Sequence, residues 1–103
     1  MRLLVVFFLT LVACVAFALN DAPQPQRVKR IYDSYCYVCH GTGWQGAPMS
    51  GNPSDWQPRV EKGWDVVLKN TQAGINGMPA KGTCEECSDA DFRAVIEMMM
   101  SEQ

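Results

Sequence analysis

The clearest hydrophobic pattern of the chain lies between residues 27 and 38. Five apolar or aromatic side chains fall there at steps of three and four: Val28, Ile31, Tyr32, Tyr35 and Val38. Such spacing gives a helix one apolar face that can pack on a core. The pattern therefore predicts a first amphipathic helix over residues 27–38.

Two later stretches have the same spacing. One covers residues 64–72 and the other follows residue 88; their apolar positions are Trp64, Val67 and Leu68, then Phe92, Val95, Ile96 and Met99. Ser88 is the expected N-cap of the last helix, because its hydroxyl can accept from a backbone N–H of the first turn. Asp89 and Asp91 follow near the positive end of the helix dipole. The sequence therefore predicts two further helices.

The rest of the chain favours loops. Residues 41–58 are rich in Gly, Pro, Ser and Asn, with a short helix expected near Asp55. After the middle helix, Gly74 and Gly77 end the helical pattern. No segment of the sequence alternates polar and apolar positions over a length that would favour a strand. The fold class predicted from the pattern is all-α.

The first eighteen residues have the features of an export signal. Arg2 precedes an apolar run, and Ala16-Phe17-Ala18 fits the small-x-small pattern that comes before a cleavage point. A polar stretch interrupted by prolines follows and favours a linker. We predict a signal peptide over residues 1–18, a linker over residues 19–27 and a single domain over residues 28–103.

Two alternatives for the signal stay open. The apolar stretch from Leu3 to Leu19 is near the lower limit of about 17 residues for a bilayer crossing, so it could be retained as an anchor. The run Leu11-Val12-Ala13-Cys14 resembles a bacterial lipoprotein box, in which cleavage before the cysteine leaves Cys14 lipidated. Cleavage, lipidation and anchoring all place the domain outside the cytoplasm, and the last two associate it with a membrane surface.

The charge balance excludes one class of partner. Without Arg2 the chain has eight basic and eleven acidic side chains, which gives a formal charge of −3. Nucleic-acid binding depends on a basic field that neutralises phosphates, and this chain has no net basic field. A domain of this size is also marginal on its core alone and commonly needs a cofactor or crosslinks.

The run Cys36-Tyr37-Val38-Cys39-His40 contains the most specific chemistry of the sequence. Two thiols three positions apart can each add to a vinyl group of one haem, and the next residue can supply imidazole to its iron. This spacing is typical of c-type haem attachment. His40 is the only histidine of the chain, so the sixth iron ligand must be another residue type, and methionine is the usual one.

Other interpretations of the cysteines remain open. Cys36, Cys39, Cys84 and Cys87 form a CxxC…CxxC set that could hold zinc, and CxxC also occurs in thioredoxin-like redox proteins with a βαβ context. Export, the long gap between the pairs and the histidine directly after Cys39 favour haem. In an oxidising compartment the second pair is then expected to form a disulfide, with a working redox dithiol as the alternative.

Met78 is the predicted sixth ligand. It lies between Gly77 and Pro79, in a flexible and then rigid turn well separated from His40. Met49 lies nine residues from His40, which is too close to reach the opposite haem face without a tight loop. The remaining candidates are on the last helix, where methionines more often fill a core: Met98, Met99 and Met100.

Together these motifs resemble the cytochrome c5 subgroup of class I c-type cytochromes. The resemblance extends from Arg30 to about Met98 and rests mainly on five runs: Tyr35-Cys36-x-x-Cys39-His40-Gly41-Thr42-Gly43, Gly46-Ala47-Pro48, Trp56-x-Pro58-Arg59, Gly74-Ile75-Asn76-Gly77-Met78-Pro79 and Lys81-Gly82-Thr83-Cys84-x-x-Cys87. The first run indicates only c-type haem, whereas the cysteine pair after the Met-Pro turn indicates the subgroup. The resemblance implies a small cytochrome c fold, in which three to four helices surround one covalently attached haem.

The resemblance also implies how that haem is held. Haem c would be bonded at Cys36 and Cys39, with its iron held by His40 and Met78. The backbone carbonyl of Pro48 would accept a hydrogen bond from the other ring nitrogen of His40. Such an acceptor fixes the tautomer of a ligating histidine and strengthens it as a donor.

Three further roles follow from the resemblance. Trp56 and Arg59 are expected to meet the haem propionates, since a guanidinium suits a carboxylate; an Arg59 that is simply exposed to solvent stays open. Cys84 and Cys87 are expected to form a disulfide. That bridge closes a very short loop, so its chain-entropy contribution is well below the roughly 3 kcal/mol of a 15-residue loop. We hypothesise that it stiffens the segment after Met78.

The function implied by the resemblance is a periplasmic electron carrier rather than an enzyme. It would cycle between Fe(II) and Fe(III) and shuttle electrons between respiratory-chain partners. These are redox proteins such as a cytochrome complex and a terminal oxidase or reductase. A peroxidase-like enzyme is the alternative, but it would require Met78 to leave the iron, and the sequence has no second histidine for acid–base work.

Overall fold

The computed structural model describes residues 22–102. The signal peptide, the retained anchor and the lipidation of Cys14 all concern residues outside this range, as does the start of the predicted linker. Within the range described, none of the helices combines the length and the apolar character that a bilayer crossing requires.

The described part of the chain contains four main helices, with two short 3-10 segments in the loops, Trp44–Gly46 and Ala80–Thr83. Helix α1 covers residues 25–40 in three consecutive segments: an α segment Pro25–Ile31, a π-helical segment Tyr32–Cys36 and an α segment Tyr37–His40. The others are α2 (Pro53–Val60), α3 (Trp64–Ala73) and α4 (Asp89–Met100). Residues 22–102 contain no strand, only an isolated bridge between Ile75 and Met78. The predicted all-α class is confirmed.

The first helix begins earlier than the sequence pattern indicated. Pro25 is its first residue, inside the span predicted as linker, because proline at the first helical position has a suitable φ and lacks only an N–H that has no intrahelical partner there. Arg27 then pairs with Asp91 of α4, with Nε–Oδ1 at 2.9 Å and Nη2–Oδ2 at 2.8 Å. The ordered domain therefore includes residues 25–27.

The apolar stripe predicted over residues 27–38 is correct only in its first half. Val28 and Ile31 are buried, at 7% and 3% exposure, whereas Val38 is 71% exposed. The π-helical segment between them explains the difference. A π turn contains more residues than an α turn, so the residues that follow it are rotated away from the stripe that precedes it.

The core lies where α1 crosses α4, with α2 and α3 packed on α4 from other sides. Its buried side chains come from all four helices and from the segment between α3 and α4: Val28, Ile31, Trp56, Val67, Cys84, Cys87, Phe92, Val95, Ile96 and Met99. Ser88 caps α4 as predicted, because its hydroxyl accepts from the Asp91 N–H while the Asp91 carboxylate accepts from the Ser88 N–H. This packing holds the amino-terminal half of α1 on α4, and the cysteines of the motif lie toward the other end of α1.

The Arg27–Asp91 pair predicts how stability depends on pH. The Arg27 hydrogen bond, above all, lowers the pKa of the buried Asp91 carboxyl from 3.8 to about 2. The charged carboxylate therefore stabilises the fold by about 2 kcal/mol above pH 4, and this contribution is lost as the pH falls from 4 to 2. Asp91→Asn should lower the free energy of unfolding of the haem-loaded protein clearly more at pH 7 than at pH 2.5, where about a third of the contribution remains. Denaturant titration at the two pH values measures the difference.

A matched control for this prediction is Glu97→Gln. Glu97 pairs with Arg93 on the exposed face of α4, where both side chains are about half exposed. An exposed pair of this kind contributes less than about 1 kcal/mol. An Asp91→Asn effect of the same size at both pH values would contradict the prediction.

Candidate haem site

The thiols of the motif lie at the carboxyl end of α1. Cys36 is the last residue of the π-helical segment, and Cys39 lies one turn later, next to His40. Both thiols are free and half-buried. Burial raises the pKa of the Cys36 thiol from 9.0 to about 11, and the nearby Cys39 acts in the same direction. The Cys36 thiol therefore lies in an apolar setting, with Cys39 nearby.

The four-cysteine zinc site is not formed. The sulfurs of Cys84 and Cys87 are 1.98 Å apart, which is bonding distance, and their Cα atoms are 5.5 Å apart. In the part of the chain that the structure describes, no group of three or more His, Cys, Asp or Glu side chains could hold a metal ion. Cys36 and Cys39 therefore remain as a separate pair of thiols.

His40 is buried and held in one orientation. Its Nδ1 lies 2.9 Å from the carbonyl oxygen of Pro48, where the resemblance placed it. Its ring stacks on Trp56 at 5.3 Å between centroids and 29° between planes. Burial lowers the pKa of His40. The hydrogen bond to Pro48 acts to raise this pKa, and the positive charge of Arg59 acts to lower it, so the net shift is downward. The imidazole is therefore neutral at pH 7, with Nε2 as the nitrogen that can bind iron.

The loop that carries Pro48 is fixed by α2. The Trp56 indole N–H donates to the Met49 carbonyl at 2.9 Å, and the Met49 N–H donates to Asp55 Oδ2 at 3.1 Å. The donor of Trp56 is therefore engaged inside the protein rather than directed at a propionate. Its contribution to the site in this structure is to support His40 through ring stacking. A propionate contact for Trp56 stays a prediction.

Arg59 lies on the exposed side of α2. Its Nη1 donates to the carbonyl of Asp55 at 2.5 Å, one turn earlier in the same helix. The guanidinium is close enough to His40 for its charge to affect the imidazole. A propionate contact for Arg59 also stays a prediction.

Met49 is on the His40 side of the site. Its sulfur would lie 3.0 Å from a Cβ added at Gly43, three residues after His40. Its backbone N–H and carbonyl are both bonded to α2. Of the helix α4 methionines, Met99 is buried in the core at 3% exposure, and Met98 and Met100 pack against it. Met78 as the sixth ligand stays a prediction.

Met78 is the last residue of a tight turn. Its N–H donates to the Ile75 carbonyl at 2.9 Å, and the Ile75 N–H donates back to the Met78 carbonyl at 3.1 Å. Gly74, with φ +83°, lets the chain cross at the base of this turn, since a Cβ there would lie 2.8 Å from the Met78 oxygen. Gly77 is packed against the side chain of Gln45. Met78 is half-buried and projects from a backbone fixed on both sides.

Two features of the site were missed by sequence reasoning. The π-helical segment before Cys36 was missed because helical spacing of apolar residues does not distinguish a π turn from an α turn over one turn. At Gly74 the sequence predicts only the end of a helix and not the close approach of two backbone segments. The Gly-Ile-Asn-Gly-Met-Pro run contains the signal for it, since the two glycines bracket the turn.

The chemistry of these donors fits a covalently attached haem. Cys36 and Cys39 offer two free thiols one turn apart. His40 offers a neutral imidazole whose Nδ1 is already hydrogen-bonded to the Pro48 carbonyl. Met78 offers a thioether, and Cys84 and Cys87 are consumed by each other. This is the donor set of c-type haem proteins with histidine and methionine ligands.

Comparison with known proteins gives the same class. Residues 23–99 match the family model described as "Cytochrome C oxidase, cbb3-type, subunit III". The chain is 43% identical over 67 residues to a cytochrome c5 from Azotobacter vinelandii, an alignment that covers 63% of this chain and 81% of that protein. The residues that the family model matches include the thiol pair, His40 and Met78.

Two solved structures are also similar. A mono-heme ferrocytochrome c from Shewanella putrefaciens is 42% identical, with a TM-score of 0.66, over 79% of this chain and 100% of that one. A chain of the crystal structure of an electron transfer complex of nitrite reductase with cytochrome c is 32% identical, with a TM-score of 0.65, over 75% and 93% of the two chains. From this agreement of sequence, fold and donor set, the chain belongs to the class I c-type cytochromes, in the cytochrome c5 subgroup, as a small electron-transfer protein with one covalently bound haem c.

Proposed function

We propose that this protein is a periplasmic electron carrier whose haem iron is held by His40 and Met78. The haem supplies the Fe(II)/Fe(III) couple, and the chain supplies the ligands, the burial and the exclusion of other ligands. The observation that carries the proposal is the environment of His40. It is a buried, neutral imidazole whose Nδ1 is hydrogen-bonded to the Pro48 carbonyl and whose ring stacks on Trp56.

Each axial residue has a distinct task. The Pro48 carbonyl accepts the Nδ1 proton of His40, which fixes the tautomer and increases the donor strength of Nε2. Met78 contributes a neutral, polarisable sulfur that favours Fe(II) and raises the potential relative to two imidazoles. With both residues bound, the iron would have no open position for substrate or oxygen, which is why we favour electron transfer over peroxidase chemistry.

The remaining haem contacts are assigned to Arg59 and Trp56. A guanidinium has five N–H donors, of which Arg59 uses one on the Asp55 carbonyl. Its exposed position leaves it able to pair with a propionate carboxylate. Trp56, whose N–H is bonded to Met49, would act mainly by packing beside His40. We also propose that the Cys84–Cys87 disulfide is present in the exported protein, as expected in an oxidising compartment.

The partners we propose are redox proteins. They include a cytochrome complex as donor and a terminal oxidase or reductase as acceptor. One similar structure supports this, because there a cytochrome c is in an electron transfer complex with nitrite reductase. The export features of residues 1–18 support the periplasm, with a retained anchor or a lipidated Cys14 as the routes to a membrane surface. Contacts of carriers of this kind are small and transient.

Carbon monoxide binding separates a carrier from an enzyme. Carbon monoxide needs an open position on ferrous iron, so we expect it to leave the visible spectrum of the reduced wild-type protein unchanged at neutral pH. Met78→Ala removes the thioether and should bind the gas readily. Rapid binding to the wild-type protein would contradict the proposed carrier and favour a peroxidase-like or oxidase-like role.

A further inference from the structure

The segment after Met78 contains three consecutive residues with left-handed backbone. The φ angles of Lys81, Gly82 and Thr83 are +59°, +54° and +67°. Glycine adopts this region freely, but for a β-branched residue such as Thr83 it is an outlier. Conformations of this kind persist only where the surrounding structure enforces them, and they are concentrated at functional sites.

The surroundings of this run enforce it mainly from the carboxyl side. Cys84 is 1% exposed, the most buried side chain of those described, and it is bonded to Cys87. The Cys84 N–H donates to the Lys81 carbonyl at 3.0 Å, and the Glu85 N–H donates to the Thr83 carbonyl at 3.1 Å. The Thr83 side chain itself is exposed, so its burial is not the cause of its backbone conformation. The buried, disulfide-bonded Cys84 and the hydrogen bonds of this turn therefore hold the conformation.

The same run is connected to Met78 on its amino side. The Gly82 N–H donates to the carbonyl of Pro79 at 3.0 Å, and Pro79 is the residue that directly follows Met78. A Cβ added at Gly82 would lie 3.5 Å from the Met78 methyl carbon, so the methionine side chain rests against this turn. A change of backbone conformation at residues 81–83 would therefore shift the surface on which the thioether rests.

We propose that Thr83 is a positioning residue for Met78, held in its left-handed conformation by the Cys84–Cys87 bond. This rests on the proposed role of Met78 as an axial ligand. While the Cys84–Cys87 disulfide is intact, the turn over residues 81–83 has a single conformation and the Met78 thioether has a single position. Once the bond is removed, Thr83 relaxes toward ordinary φ values and the Met78 segment moves with it. A residue that accepts left-handed backbone has no such tendency, so Thr83 and the disulfide are energetically coupled.

The coupling can be measured on the haem-loaded full chain with imidazole as the probe. Imidazole competes with the sixth ligand of ferric haem, so its apparent affinity increases with the fraction of protein in which Met78 is displaced. We expect Cys84→Ala/Cys87→Ala to increase this affinity about tenfold when residue 83 is threonine, but only about twofold in the Thr83→Gly background. Amide hydrogen exchange at Gly82 and Cys84 should change in the same pattern.

Two further substitutions separate strain from other effects of Thr83. Thr83→Asn removes the β-branch with a residue that tolerates left-handed backbone, so it should reproduce Thr83→Gly. Thr83→Val keeps the branch and removes the hydroxyl, so it should behave as the wild type. Cys87→Ala alone leaves the Cys84 side chain in the core and repeats the comparison if the double variant unfolds.

An equal increase of imidazole affinity in the threonine and glycine backgrounds would overturn the proposal. The failure of the proposed ligand would look different, because Met78→Ala would then keep the far-red ferric band of methionine ligation and both proposals would fall. A band that is lost in Met78→Ala, together with no coupling between Thr83 and the disulfide, would overturn the positioning role alone.

Discussion

Cys36→Ala/Cys39→Ala is expected to yield a protein without covalent haem and without a cooperative unfolding transition. The two thiols are the only free ones among residues 22–102, so no other thiol there can form the thioether bonds. A core of this size contributes only about 3–5 kcal/mol by itself. His40 and the half-buried residues around it would then lack the apolar plate on which they pack.

The matched control removes the other CxxC pair. Cys84→Ala/Cys87→Ala should keep the mass of one haem on the denatured chain, because these sulfurs are bonded to each other rather than available for attachment. Mass spectrometry of the denatured protein and circular dichroism during thermal unfolding measure both results. Haem that stays bound covalently without Cys36 and Cys39 would contradict the assignment of the attachment site.

Gly74→Ala is expected to lower the free energy of unfolding by about 3 kcal/mol or more. Gly74 has φ +83° and ψ 153°, a region used essentially by glycine alone. A Cβ there would lie 2.8 Å from the Met78 oxygen and 2.9 Å from the Ala80 nitrogen, and both are backbone atoms that cannot rotate away. The backbone strain and the overpacking add, and relief of the contact moves the Met78 segment.

Gly46→Ala is the control that separates these two effects. Gly46 also has a positive φ, +77°, but a Cβ there would meet no described atom within 4 Å. We expect it to cost about 1 kcal/mol from conformation alone and to leave the iron ligands in place. Denaturant titration gives the stabilities, and the ferric spectrum reports on Met78. Equal costs for the two alanines would show that the close approach at Gly74 has no energetic weight.

The sequence was sufficient where side-chain chemistry is local. The spacing of Cys36, Cys39 and His40 sets their relation on one helix, so the motif predicts the arrangement without knowledge of the rest of the fold. The N-cap at Ser88 was predicted for the same reason, because its partner Asp91 is three residues away. The all-α class followed from apolar spacing alone.

The sequence was insufficient where backbone conformation departs from the intrinsic preference of the residue. Thr83 is a poor candidate for left-handed backbone, and it is held there by the anchored Cys84 and by the hydrogen bonds of the turn. The π-helical segment before Cys36 likewise has no distinct residue pattern, so Val38 was expected on the buried face and is exposed. In both cases tertiary contacts override local preference.

The roles of Trp56 and Arg59 depend on contacts that span the site. The resemblance implies that Trp56 contacts a propionate. In the structure its indole N–H donates to the Met49 carbonyl and its ring stacks on His40. The run Trp56-x-Pro58-Arg59 indicates that these residues lie near the haem, but it does not indicate which atom each donor meets. That choice is made by the loop over residues 47–52, whose conformation no motif specifies.

The most direct test of the ligand assignment is the ferric visible spectrum of Met78→Ala beside Met49→Ala. Methionine ligation gives ferric haem c a weak far-red band. We predict that this band is lost in Met78→Ala and kept in Met49→Ala, because Met49 is held on the His40 side by α2. A band that survives in Met78→Ala would contradict the account and move the sixth ligand to another methionine.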